Sequence, residues 1–379
     1  MSKFFQLLAA SVVASSTVAA NAVDRVEVPV VFDGDRVVIQ ASVGSSGPLT
    51  LGIDTGAGGI RIWQEHLKLS ELKRTGKRDK VMYGSGKTGL DGEVVKGSVK
   101  IGTFELPGKT ELQLITGHIC KEGSGKNCGE HGSRRNYAGT LGLRPMHPVD
   151  ASKKDKVNNP LIVEGPFRYI LRVPRNDTEQ GALIINPTNK EMAAFKRIQL
   201  TAGNNARFPI CINSFCYETI LDTGNDSNQI PAESKKELKA LNLPVDNDKV
   251  TAGTQIGFVI GKGANSFSGQ LTAGKGAAAI HLREGKGHGV LGINFFRYFD
   301  VLYDFKDASI GLALKKASSV KSVGEFWLGK LAKHVIQGEF SDFEGSKPVG
   351  FSHGHFDLVV EALDNAAGEL LFGPKVVED

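Results

Sequence analysis

Residues 51–60 read LGIDTGAGGI, and residues 219–228 read TILDTGNDSN. In both, an apolar run ends on an acid, Asp54 or Asp222, and the acid opens a Thr-Gly turn. A carboxylate at the end of a buried strand is costly unless something stabilises it. One Asp-Thr-Gly would carry little weight, because these are common turn residues. Here each copy has a partner further along: Thr140-Leu141-Gly142-Leu143 after the first, Val290-Leu291-Gly292-Ile293 after the second. The same order occurring twice marks an internal repeat. It implies two similar lobes, each offering one carboxylate to a shared face.

Two carboxylates held close cannot both ionise, so they share a proton and titrate as a pair. The ionised member can take a proton from water while the protonated member donates to a carbonyl oxygen. That is acid/base hydrolysis of an amide with no covalent intermediate. The hydroxyls of Thr55 and Thr223 can hydrogen-bond across and fix the acids. Gly56 and Gly224 let the backbone pass close to them, and with Thr223 they are expected to line the substrate site.

The rest of the chain fits an exported, strand-rich protein. Its 379 residues are 40% hydrophobic, enough for one large domain or two medium ones. Glycine is abundant at 46 residues and helical patterns are few, which points to an all-β fold with many turns. The net charge of +5 comes from scattered residues, so nucleic acid is not an expected partner. Lys3, the apolar stretch from Phe4 to Ala20 and the small residues Ala20-Asn21-Ala22 read as a signal peptide over 1–22, so the mature protein is expected to be secreted, or held in the secretory pathway or a vacuole. No later segment is long and apolar enough for a membrane span. Of three possible connectivities for the four cysteines, Cys120–Cys128 with Cys211–Cys216 is the simplest. The alternative use of the first pair is a zinc site with His118 and His131, at a spacing unlike known fingers. Neither a metal nor a cofactor is expected. Gly84-Ser85-Gly86-Lys87-Thr88 looks like the tail of a phosphate-binding loop, but position 81, where the leading glycine belongs, is Val81.

Alternation predicts a hairpin over Val26–Val43 turning at Asp33-Gly34-Asp35, then strands at 49–54, 93–104, 167–173, 182–185, 206–212, 217–222, 255–260 and 301–305. Helices are expected at 233–241 and, shorter, at 190–196. After a linker at 315–319, Val323, Trp327, Leu331 and Val335 share one helical face.

With these motifs in hand, the chain resembles the pepsin-like aspartic proteases from about Val28 to Ala313. Asp54 and Asp222 match the family's catalytic pair. Tyr83-Gly84-Ser85-Gly86 looks like its flap, in which Tyr83 would wall the pocket and the Gly84 and Ser85 backbone would bond the peptide. Residues 167–171 and 181–183 look like the strands that lead between the lobes, and Cys211–Cys216 resembles a small disulfide loop of the family. The stretch 289–313, GVLGINFFRYFDVLYDFKDASIGLA, is the most specific match. The resemblance implies a bilobal all-β fold, with an N-terminal lobe over 23–186, a C-terminal lobe over 187–316 and an added extension over 317–379. It implies a monomeric endopeptidase of acidic optimum acting on proteins or peptides. The alternative is a catalytically silent relative that binds or inhibits other proteins. Departures are Ala57 after the first motif, Arg61 where the family has Trp, with Trp63 two residues on, and Asn225-Asp226 after the second motif. The few residues between the signal site and the first strand leave no room for the family's prosegment, so control is expected from elsewhere. The 317–379 extension, covering the cleft or docking a partner, is the candidate.

Overall fold

The fold comes from a computed structural model that describes residues 24–315 and 321–322, apart from 35, 84–86, 123–127, 129–136, 146–156, 164–166, 202–205, 233–236, 238–239, 264–265, 276–277 and 285–286. The expected signal peptide over 1–22 and nearly all of the expected 317–379 extension therefore lie outside the described residues, as do Gly84, Ser85 and His131.

The first half contributes β1 (Val26–Asp33), β2 (Arg36–Val43), β3 (Ser46–Asp54), β4 (Gly58–Trp63), β5 (Lys73–Met82), β6 (Thr88–Gly97), β7 (Val99–Ile101), β8 (Phe104–Glu105), β9 (Thr110–Cys120) and β10 (Gly139–Leu143). The middle holds α1 (Pro160–Val163), β11 (Arg168–Arg172), β12 (Glu179–Ile185), α2 (Asn189–Met192) and β13 (Lys196–Gln199). The second half contributes β14 (Phe208–Ile212), β15 (Phe215–Leu221), β16 (Asn228–Ala232), β17 (Val245–Asp246), β18 (Lys249–Val250), β19 (Gln255–Ile260), β20 (Phe267–Thr272), β21 (Ile280–Glu284) and β22 (Gly289–Leu291). It closes with α3 (Ile293–Tyr298), β23 (Phe299–Asp304), β24 (Ser309–Leu314) and β25 (Lys321–Ser322). None of the described helices is long and apolar enough to cross a membrane.

These strands make two sheets. A 16-stranded sheet runs β13-β24-β23-β11-β12-β1-β2-β3-β10-β4-β9-β6-β5, with β25 beside β12, β7 beside β2 and β8 beside β7, and a nine-stranded sheet runs β17-β18-β21-β16-β22-β15-β14-β19-β20. The larger sheet joins the lobes, because β23 and β24 return from the second half to pair with β11 and β13. At that seam Tyr169 faces Tyr303, with ring centroids 4.7 Å apart.

The repeat in sequence is a repeat in topology. β3 runs parallel to β10, with Asp54 opposite Gly142, and β10 runs antiparallel to β4. In the second half β15 runs parallel to β22, with Leu221 opposite Leu291, and β22 pairs antiparallel with β16. In both halves the Leu-Gly strand lies between the acid's strand and the strand that leaves it. Its glycine is required by contact. A Cβ on Gly142 would stand 2.6 Å from Gly58 C, and one on Gly292 would stand 2.4 Å from the Ser227 carbonyl oxygen.

Most predicted strands form, β19 with the predicted limits. The strand expected over 93–104 does not run unbroken. It leaves β6 at Gly97, where a Cβ would press on Leu72 and Val43, and continues as β7 against β2 and then β8. The helix expected over 190–196 is the shorter α2, closed at its start by a capping box between Thr188 and Glu191. Of the helix expected over 233–241, Glu237 and Ala240 are described, and both are helical. β5 was not foreseen: its KRTGKRDKVM lacks alternation because it is an edge strand with one buried residue, Asp79.

Candidate active site

The two turns that follow β3 and β15 meet at the join of the lobes. Thr55 and Thr223 are buried there and bond reciprocally. The Thr55 N–H donates to Thr223 Oγ1 at 3.1 Å, and the Thr223 N–H donates to Thr55 Oγ1 at 3.0 Å. Each hydroxyl donates onward across the join, Thr55 Oγ1 to Leu221 O at 3.0 Å and Thr223 Oγ1 to Ile53 O at 2.8 Å. Both threonines thus use donor and acceptor, and each fixes the strand that carries the opposite acid.

The glycines are swapped in the same way. A Cβ on Gly56 would lie 2.4 Å from Cγ of Asp222, and one on Gly224 would lie 2.7 Å from Cγ of Asp54. Each carboxylate therefore packs against the other lobe's glycine, a closeness that no side chain would allow. The acids stand close enough for the charge of Asp54 to act on Asp222. Asp54 Oδ1 also accepts from the N–H groups of Gly56 at 2.8 Å and Ala57 at 2.9 Å. Asp222 Oδ1 accepts from the Gly224 N–H at 2.9 Å.

This setting decides where the shared proton sits. Protein surrounds most of Asp222, although both acids keep an edge at the surface. Burial, and then the charge of Asp54, push the Asp222 pKa up to about 8, against the opposing pull of the Gly224 N–H and of Arg36. The raised Asp222 carboxyl is thus the proton-holding group, and the Asp54 carboxylate oxygen faces two N–H donors.

Among solved structures, an aspartic proteinase from Irpex lacteus matches with a TM-score of 0.57 and 17% identity, over 78% of this chain and 99% of its own. This chain has the two-lobed aspartic proteinase fold. At that identity the likeness establishes the fold alone. No family model matches the sequence, and no curated protein matches it.

Within the aspartic proteinase fold the other candidate residues take their places. Both expected disulfides form, Cys120–Cys128 and Cys211–Cys216, so the first pair offers no thiolate to a metal. The second clips the β14–β15 hairpin at a directly facing pair. Tyr83 follows β5 at the base of the expected flap and is 51% exposed. Trp63 packs on the His118 ring at 4.6 Å, and it is Arg61 whose charge interacts with Tyr83. Asn225 does not bond the Asp222 carboxylate. Its side chain accepts from the Ser227 N–H at 3.2 Å, and its own N–H donates to the Asp222 carbonyl at 3.1 Å. The third acid, Asp226, is paired with Arg36 at 3.3 Å, and Arg36 also donates to the Gly224 carbonyl. Arg36 carried no signal in the sequence, because its acceptor lies 188 residues away.

Proposed function

We propose that this chain is a secreted aspartic endopeptidase that cleaves peptide bonds in proteins with the pair Asp54 and Asp222. The observation that carries the reading is the reciprocal cradle, in which each acid packs against the other lobe's glycine, which brings the two carboxylates together. Water held between them attacks the peptide carbonyl carbon. Its proton goes to Asp54, and the Asp222 proton goes to the carbonyl oxygen. As the C–N bond breaks, the leaving nitrogen takes the proton from Asp54, and the hydroxyl proton returns to Asp222. Two preorganised groups of opposite protonation serve both steps. Both acids come from one chain, so a monomer suffices. With the Asp222 pKa near 8, activity should reach from acid pH to neutrality, beyond a purely acidic optimum. The two disulfides suit an oxidising compartment outside the cytosol.

The test is cleavage of a denatured protein by the chain lacking residues 1–22, with and without pepstatin, beside Asp54→Asn. The expected result is cleavage that pepstatin blocks and that Asp54→Asn abolishes. An inert unaltered chain, or equal cleavage by Asp54→Asn, would overturn the proposal and favour the silent, protein-binding alternative.

A further inference from the structure

Strand β4 carries a cation where its neighbours are apolar. Arg61 lies between Ile60 and Ile62 and is 5% exposed. Its guanidinium reaches two elements. On one side it donates to the Gly58 carbonyl, at the end of the turn whose N–H groups hold Asp54. On the other side it stands 4.0 Å from Asp79 Oδ2, the one buried side chain of β5 and four residues before Tyr83. Gln113, fully buried and directly opposite Arg61 on β9, donates to the Asp79 carbonyl at 2.9 Å. β5, the strand before the expected flap, is therefore tied to β4 by a buried ion pair and to β9 by a buried amide.

Buried charges are kept in a strand only when paired, because an unpaired one is strongly destabilising. Neither charge fills an apolar gap that Leu or Val could not. What the pair supplies is a direct side-chain link between β4 and β5, which the sheet otherwise joins only through β9 and β6. Asp79, Asp54 and Tyr83 all act on the Arg61 charge, as expected of a group set among them. The charge of Asp54 also acts on the half-buried Arg144.

We propose that Arg61 is a positioning residue: with Asp79 it forms a buried charged strut that fixes the flap strand β5 against the turn holding Asp54. The kinetic part of this proposal rests on the peptidase reading above; the structural part does not. Misplacing a reacting group by about 1 Å costs on the order of 100-fold in rate, so a loosened strut should cost roughly ten-fold.

The experiment compares Arg61→Met, Arg61→Lys, Asp79→Asn and the double variant Arg61→Met/Asp79→Asn. Amide hydrogen exchange is read over 56–58 and 78–83, and kcat and KM on a peptide substrate. Each single charge removal should speed exchange in both segments, leave the nine-stranded sheet unchanged, and lower kcat/KM by about ten-fold. Arg61→Lys should recover part of the loss. The double variant removes both charges, so it folds even if a single one fails, and it should be no worse than Arg61→Met. Unchanged exchange in both segments in the double variant would overturn the strut, as would losses that multiply across the two sites. If the unaltered chain cleaves nothing, the peptidase reading fails, and the exchange result still decides the strut.

Discussion

Asp54 and Asp222 occupy equivalent places in the two lobes, yet their turns serve them differently. The Asp54 carboxylate receives two backbone N–H groups, from Gly56 and Ala57. Asp222 receives one, from Gly224, because the Asn225 N–H goes to the Asp222 carbonyl. The threonines and glycines between them obey the two-fold repeat closely. The symmetric residues fix where the carboxylates are, and the residues one step further on give them unequal sets of N–H donors.

The symmetric part should break hardest. Gly56→Ala puts a methyl 2.4 Å from Cγ of Asp222, and Gly224→Ala puts one 2.7 Å from Cγ of Asp54. Each should lower kcat/KM by about 100-fold or more, since neither acid can retreat without leaving its reacting position. Comparable losses would support the swapped cradle, and a harmless Gly56→Ala would refute it.

The asymmetric part should show in stability. The folded Asp222 pKa, pushed up to about 8, lies above the ordinary value of 3.8, so between those values the folded state holds a proton that the unfolded chain releases. Asp222 is therefore a growing liability as pH rises through that window. Asp222→Asn should raise the unfolding free energy by roughly 2 to 4 kcal/mol at neutral pH and add little below the lower value. Asp54→Asn removes the second cause of the shift and leaves the first, burial, so its gain should be smaller. Urea unfolding at two pH values measures both, and equal gains would remove the asymmetry.

The threonines sharpen the comparison with the smallest effect. Thr55→Val leaves Leu221 O and the Thr223 N–H unpaired, and Thr223→Val leaves Ile53 O and the Thr55 N–H unpaired. Each should cost about 1–3 kcal/mol in urea unfolding. The two costs should be similar, and the double variant should cost less than their sum, because each removes bonds the other also needs.

The repeat was legible because contact forces it: the Leu-Gly glycines and the motif glycines admit no side chain, so those letters recur. The hairpin β1–β2 and strand β19 were legible because their burial alternates along most of their length. Strand β5 was not, since it is an edge strand of charged residues with a single buried position. Arg61 and Asp79 could not be paired from sequence, because the strands between them, β9 and β6, come later in the chain. Nor could the turn of Asn225 be read, since its N–H chooses between two oxygens of one residue.

The central claim is that the two acids share one proton and that Asp222 holds it. The pH dependence of kcat/KM for peptide cleavage tests this most directly, because its falling limb reports loss of that proton from the free enzyme. The fall is expected as pH rises through about 8. A fall close to the ordinary aspartate value of 3.8 would contradict it.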